Sequence, residues 1–486
     1  MSLSDPAFLG FFAVVFVLFY LLPGGTARLV LLLAASLGFY IKLVGGYTAV
    51  LVVVAVTAYF GGLALQQSAA GRKRRAIFIA SLLALLTPLI VFKYLNFLAD
   101  AASVSLPDSF NDLILPVGLS FFTFAAVGYL IDVNLGLLEA ERNPLRLGLF
   151  VTFFPLVTAG PIERGGHLLP QLDLKLPMSA ERAFEGLRLI FVGLVLKVLF
   201  ANSLSVPVAD VFGDPESSLP LDKLVAIIFF AFDLYADFAG YSLIAIGCAK
   251  MLGIDVLPNF RQPFLSQGIP EFWRTWHMSL SFWVRDYLFM PMRAKWRRSG
   301  HKGMVAATLI SFTILGIWHG AGWQFVLYGF AFGVLAVGSL YTLKYRDAAY
   351  AWLGVPRSVV RVIRAVITFF LFALVLVLFR VNYLADAWLF YRDIFSLDLL
   401  RNLWDAVRYA VFHQGEPLNL PVVTGYWTDW FLIAAIVIGD ILARNGITLT
   451  RRSLAVQTVA YNVGFAAILY LWMSSSVAPP FLYYKF

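Results

Sequence analysis

The run Gly316-Ile317-Trp318-His319-Gly320-Ala321-Gly322-Trp323 sets a histidine at the end of an apolar stretch, 304–317. That stretch follows the basic residues Arg293, Lys295, Arg297, Arg298 and Lys302. From Lys302 to His319 is 17 residues, about 25 Å if helical. The imidazole should therefore lie near the tip of a helical hairpin, most of the way across a bilayer. A neutral imidazole held there can take a proton from a hydroxyl nucleophile, typically worth about 10²–10⁴-fold in rate. Gly316, Gly320 and Gly322 would let another backbone or a substrate come close to the ring. The competing reading is a buried histidine hydrogen-bonded to a carbonyl.

A second group starts at Pro270. Glu271, Arg274, His277, Ser281 and Arg285 are spaced three or four residues apart. On one helix they would form a polar stripe, with Phe272, Trp276, Leu280 and Trp283 off it. Such a helix lines a wet cavity or lies flat at the membrane surface. Asp132, Asp233, Asp237, Lys93 and Lys197 also fall inside apolar runs. Each costs about 2.5–3.5 kcal/mol to insert at the helix centre, so each needs a reason. Asp233 and Asp237 sit one turn apart, with Tyr241 a turn further. They could serve acid–base work or a metal, but pairing with a cation such as Lys197 explains them more simply. No HExxH, cysteine cluster, P-loop or GxGxxG occurs, so no metal or nucleotide cofactor is expected. Gly240 and Gly247 look like helix-packing positions.

The elements that position these groups follow from composition. Of 486 residues, 60% are hydrophobic and 13% charged, about half the charge of a soluble domain. The mean hydropathy is +0.82. Apolar runs fall at about 7–22, 29–44, 47–66, 76–98, 113–136, 147–160, 183–201, 224–249, 304–318, 321–340, 362–379, 427–443 and 453–475. They lack the alternation of a β-barrel, so the fold is all-α and multipass. The run 147–160, ending Thr158-Ala159-Gly160-Pro161, is short and reads as re-entrant or broken. Residues 380–426, with Trp388, Phe390, Tyr391, Phe395 and Trp404, suit amphipathic helices on the outer surface.

The net charge of +9 is spread among the apolar runs, which signals topology and lipid contact rather than nucleic acid. If the loops at 28, 72–75, 142–146, 164–182, 250–302, 344–364 and 444–452 face the cytosol, they hold 27 of the 37 Lys and Arg residues. The intervening outer loops at 99–112, 203–223 and 380–426, with the tail at 476–486, hold 6. Both termini are then expected outside. No Lys or Arg precedes the first apolar run, so it should stay as a helix rather than be cleaved. The single Cys248 excludes an intrachain disulfide framework. No internal repeat supports a transporter architecture.

At these residues the chain resembles the membrane-bound O-acyltransferase (MBOAT) superfamily, in the branch of bacterial alginate O-acetyltransferase subunit I. The resemblance rests on Phe92-Lys93-Tyr94-Leu95-Asn96-Phe97, Leu115-Pro116-Val117-Gly118-Leu119-Ser120-Phe121-Phe122-Thr123-Phe124, and Phe154-Pro155 through Gly160-Pro161-Ile162-Glu163-Arg164. It continues with Tyr235-Ala236-Asp237-Phe238-Ala239-Gly240-Tyr241-Ser242, Asn259-Phe260 through Pro263-Phe264, and Glu271-Phe272-Trp273-Arg274-Thr275-Trp276-His277. Trp318-His319-Gly320 and the closing Pro480-Phe481-Leu482-Tyr483-Tyr484-Lys485-Phe486 complete it. The closing Tyr-Tyr-Lys-Phe stands where Tyr-Phe-Gln-Phe or similar is expected, which leaves the polymer open.

The resemblance implies a ring of about eleven transmembrane helices with re-entrant and interfacial helices, around a thinned centre with a funnel on each face. It implies one domain over 1–486: peripheral helices at 1–90, a core at 91–380, the outer segment at 381–426, and C-terminal helices and tail at 427–486. His319 corresponds to the family's invariant histidine, and His277 to a second functional one. Trp318, Arg274, Trp276, Asp237 and Ser281 are the expected substrate contacts. The expected donor is a cytosolic acyl thioester, acetyl-CoA, with its anionic end on Arg293, Lys295, Arg297, Arg298 and Lys302; a plain topogenic loop explains that cluster equally well. A periplasmic partner acyltransferase would complete transfer to an exopolysaccharide, in a bacterial inner membrane. Transfer of D-alanine toward teichoic acids, and a transporter without chemistry, are the alternatives.

Overall fold

The computed structural model describes residues 2–107, 110, 113–175, 177–412, 426–447 and 453–474. All regular structure among them is helical. The N-terminal part holds α1 (Pro6–Leu21), α2 (Thr26–Val44), α3 (Thr48–Gln66), α4 (Arg72–Leu89), α5 (Leu95–Ala101), α6 (Leu119–Leu135) and α7 (Pro144–Thr152). The centre holds α8 (Gly165–Leu168), α9 (Ala180–Leu194), α10 (Asn202–Gly213), α11 (Pro220–Met251), α12 (Ile269–Phe272), α13 (Met278–Val284) and α14 (Met290–Lys295). Then come α15 (Gly300–His319), α16 (Trp323–Trp352), α17 (Arg357–Arg380), α18 (Leu384–Ile394), α19 (Leu397–Phe412), α20 (Trp427–Arg444) and α21 (Leu454–Ser474). Eight helical stretches among the described residues are long and apolar enough to cross a membrane, and α1 and α6 are shorter apolar helices. The chain is a multipass integral membrane protein.

α11 is the axis of the molecule. Its most apolar window is 89% buried, which is why it is apolar around its whole circumference rather than along one stripe. Pro220 starts it, where a missing N–H costs nothing. α9 lies against α11 at backbone distance. A Cβ on Gly193 would stand 2.6 Å from the Gly240 carbonyl oxygen, and one on Gly186 would stand 2.6 Å from that of Gly247. The two glycine pairs are one heptad apart, so the helices meet along a continuous seam. One turn beyond, Lys197 and Asp237, both buried, form an ion pair across it. Asp233 is buried as well and coupled electrostatically to Arg380 at the end of α17.

Among the described residues, three π-helical turns interrupt the long helices, at Ile90–Tyr94, Val195–Ala201 and Arg285–Phe289. Lys197 sits on the second. The first follows Pro88, which lacks the N–H its helix needs and crowds the preceding turn.

The run 147–160 is broken, as its length implies. α7 ends at Thr152, and residues 153–160 form buried turns. There Thr158 is hydrogen-bonded to Tyr241 of α11. Contrary to expectation, residues 203–223 are not a plain outer loop. α10 continues helically to Gly213, because the π-turn redirects the chain without ending it. Residues 384–412 form α18 and α19, with Trp388, Phe395 and Trp404 exposed and Phe390 buried. Residues 413–425 and the tail after 474, including the Pro480–Phe486 motif, lie outside the described residues.

Removing one partner of a buried ion pair strands the other charge, at a cost of about 3–5 kcal/mol. Lys197→Met is therefore expected to lower the yield of monodisperse, folded protein, and Lys197→Met with Asp237→Leu to recover much of it. Equal yields from the single and double variants, measured by gel filtration, would show that the pair does not hold the seam.

Candidate active site

His277 is not on a continuous helix. α12 ends at Phe272, and α13 starts at Met278. His277 itself has φ +41° and ψ +54°, a left-handed conformation unusual for a residue with a Cβ. Such strain costs about 1–3 kcal/mol and persists only where the surroundings impose it. Here Asn259 imposes it. Met278 N–H donates to the Asn259 carbonyl at 2.9 Å, and Arg261 N–H donates to the Thr275 carbonyl at 2.9 Å. The expected stripe from Glu271 to Arg285 is thus broken in its middle.

The Asn259 side chain sets the ring. Its Nδ2 donates to Ser242 Oγ of α11 at 2.9 Å. That leaves Oδ1 as the acceptor, 3.1 Å from His277 Nδ1 and 2.9 Å from Ser279 Oγ. The network assigns the Nδ1–H tautomer and leaves Nε2 of His277 as the basic nitrogen. An imidazole oriented by a third group is the usual arrangement for proton transfer. Ser279 Oγ in turn accepts from Ile162 N–H at 3.0 Å, tying in the Gly160-Pro161-Ile162-Glu163-Arg164 segment. Next to it, buried Glu163 accepts from Leu257 N–H at 2.6 Å and meets His167 Nδ1 at 2.8 Å. That hydrogen bond raises the His167 pKa above the usual imidazole value.

His319 ends α15. Helix α15 has 20 residues, about 30 Å, the thickness of the hydrocarbon core. Its ring is buried among Trp318, Phe379 and Tyr328, with centroids at 4.9, 5.2 and 5.4 Å. The Trp318 ring is also 6.0 Å from His277, so one indole lies near both imidazoles. Phe121 of α6 closes against Trp318 at 5.4 Å and His277 at 6.2 Å.

The glycines around His319 do something other than expected. A Cβ on Gly316 would meet the Phe325 carbonyl oxygen at 2.2 Å, and one on Gly320 would meet the Phe325 ring at 2.1 Å. They admit α16 and so close the hairpin; the atoms they make room for belong to the protein.

The first π-turn supplies residues that the sequence alone does not place in the site. Lys93 Nζ donates to the Trp318 carbonyl at 2.7 Å and reaches Ser120 Oγ at 3.4 Å. Tyr94 OH donates to the Ile317 carbonyl at 2.8 Å. Carbonyls at a helix C-terminus lack intrahelical donors and carry the negative end of the dipole. A lysine and a tyrosine there fix the tip of α15. The signs of this in the sequence are the cost of Lys93 in an apolar run and its place in the Phe92–Phe97 stretch.

Lys93, Trp318 and His319 line a cavity with residues 115–121. Its volume of about 20 Å³ is room for roughly one water. Gly118, with φ +80°, lets this wall touch the 153–160 turn, since a Cβ there would sit 2.0 Å from the Val157 carbonyl oxygen. Trp318 Nε1 is buried and has no hydrogen-bond partner among the described residues.

The other expected contacts lie elsewhere. Arg274 is exposed, outside this group of buried rings. Trp276 is buried against Phe272, Phe260 and Phe372, an apolar packing role. Ser281 Oγ donates to the Trp276 carbonyl at 3.0 Å and caps the bend. Asp237 is the partner of Lys197. Arg293, Lys295, Arg297, Arg298 and Lys302 are all exposed, near the end of α15 opposite His319.

Residues 143–381, which contain both histidines, match the pattern of the family described as "MBOAT, membrane-bound O-acyltransferase family". The chain is 33% identical to the probable alginate O-acetylase AlgI of Azotobacter vinelandii, over 82% of this chain and 78% of that protein. It is also 33% identical to the probable alginate O-acetylase AlgI of Pseudomonas aeruginosa, over 82% of this chain and 75% of that one. The chain belongs to the membrane-bound O-acyltransferase family. It is an acyltransferase, and the transporter reading falls away. The teichoic acid D-alanyltransferase of Bacillus subtilis is 30% identical over a smaller share, 60% of this chain and 75% of its own length. In this acyltransferase the residues outside the matched stretch that reach the site are Lys93, Tyr94 and the 115–121 wall.

Asn259→Leu removes the acceptor that orients His277. It is expected to lower turnover by about tenfold to a hundredfold, as loss of an orienting partner does elsewhere. Asn259→Asp, which keeps an oxygen toward Nδ1, is expected to retain more. A well-expressed Asn259→Leu enzyme with normal turnover would make the network purely structural.

Proposed function

We propose that this acyltransferase passes acetyl groups from a cytosolic acetyl thioester, acetyl-CoA, across a bacterial inner membrane for O-acetylation of an exopolysaccharide of the alginate or cellulose type. The names of its relatives support the acyl group and the polymer class. The distribution of Lys and Arg supports an orientation with both termini periplasmic.

The observation that carries the chemistry is the cavity where His319, Trp318 and Lys93 meet. His319, as neutral base, takes the proton of the acceptor hydroxyl while its oxygen attacks the thioester carbonyl. Negative charge then develops on the carbonyl oxygen. The buried Trp318 N–H, lacking a protein acceptor, is the donor for it. Lys93, bonded to the Trp318 carbonyl, holds that residue in place. Collapse breaks the C–S bond, and the proton on His319 goes to the departing thiolate. The products are an ester and a free thiol, so no metal or ATP is required. His277, whose ring lies 6.0 Å from the same indole, positions or assists the acceptor. Arg293, Lys295, Arg297, Arg298 and Lys302 hold the anionic end of the donor at the cytosolic mouth. A periplasmic partner acyltransferase completes transfer to the polymer.

The test uses purified full-length protein and acetyl-CoA labelled in the acetyl group, with transfer or thioester hydrolysis as the readout. Wild type is expected to turn over. His319→Ala is expected to lose about 10²–10⁴-fold at unchanged expression. Normal polymer acetylation in cells carrying a well-expressed His319→Ala variant would overturn the assignment.

A further inference from the structure

Arg188 lies in the apolar part of the α9–α10 stretch, which is apolar enough to span a membrane, and the acyl-transfer site does not use it. It is exposed and has no ion-pair or hydrogen-bond partner among the described residues. The nearest acid on its helix, Glu185, is taken by Lys250 at 2.9 Å. An unpaired arginine on an exposed helix face, one turn from the charged groups Glu185 and Lys250, attracts an anion at the membrane surface.

Arg188 opens into a crevice of about 780 Å³ between α1, α9 and α21. The floor of the crevice is closed where Phe191 packs edge-on against Tyr461, with centroids 5.1 Å apart, and against Gly464, whose Cβ would meet that ring at 2.6 Å. Its walls are apolar, with Phe12 and Phe16 on α1 and Leu194 on α9. From Arg188 to Leu194 the α9 wall runs six residues, about 9 Å along the helix. Polar groups gather at one end, where Arg188 faces Gln457 and Thr458 at the start of α21. Beyond them the lining is apolar save for Asn462, whose amide donates to the Thr458 carbonyl at 2.8 Å.

From this geometry we propose that the crevice binds one phospholipid of the leaflet at the Arg188 end. Its phosphate pairs with Arg188, and its acyl chains lie along Phe12, Phe16 and Leu194. One anion joined to apolar chains matches the crevice in charge and polarity.

The experiment measures thermal unfolding and native mass spectra of the full-length protein in detergent. The added lipid is phosphatidylglycerol, or diacylglycerol with the same chains. Wild type is expected to retain one phospholipid and to gain stability from phosphatidylglycerol but not from diacylglycerol. Arg188→Ala is expected to weaken that response roughly tenfold to a hundredfold, as loss of a charge-assisted hydrogen bond implies. Ala13→Trp, which fills the crevice from α1, is expected to abolish it. Neither residue belongs to the acyl-transfer site, so labelled acetyl transfer serves as the check on folding. Equal gains from both lipids, an undiminished response in Arg188→Ala, or a dimer occupying this face would each overturn the proposal.

Discussion

Polar groups carried into hydrocarbon need partners inside the protein, because water cannot supply them. This requirement shapes the site. Tyr94 and Lys93 occupy the C-terminal carbonyls of α15. Asn259 occupies His277, Ser279 and a backbone N–H at once. Lys197 occupies Asp237. With these contacts made, the buried Trp318 N–H still has no acceptor among the described residues, as has that of Trp273, and it is the Trp318 indole that lies against His319.

The π-turns are the device that brings these partners together. Each inserts an extra residue into a helix turn and rotates the downstream part of the helix, a feature often found at functional positions. Ile90–Tyr94 carries Lys93 and Tyr94 to the tip of the hairpin, and Val195–Ala201 carries Lys197 to Asp237. Arg285–Phe289 carries Tyr287, whose hydroxyl donates to Asp132 at 2.8 Å. Behind them, the glycine seam between α9 and α11 lets backbones touch, so the scaffold that carries Ser242, and through it Asn259, is stiff.

Much of this is legible in the residues themselves. Apolar runs place the helices, because a spanning segment has a fixed length. The distance from Lys302 places His319 at the far end of α15. The Lys197–Asp237 pair follows from the cost of charge at depth. The features that stay illegible depend on contacts distant in the chain. His277 reads as mid-helix until Asn259, 18 residues earlier, bends it into a left-handed turn. The glycines beside His319 read as room for substrate until α16 is seen to fill that room. Lys93 reads as an expense without a purpose until the π-turn aims it at Trp318.

Acyl transfer in the Lys93–Trp318–His319 cavity is the central claim. The most direct measurement is a structure of the enzyme with a non-hydrolysable thioether analogue of acetyl-CoA. The expected result places the acetyl carbonyl oxygen within hydrogen-bond reach of Trp318 Nε1. Its carbon should leave a hydroxyl-sized gap, about 3–3.5 Å, on the side facing His319. An analogue whose acetyl end settles away from this cavity, with the His319 ring untouched, would contradict it.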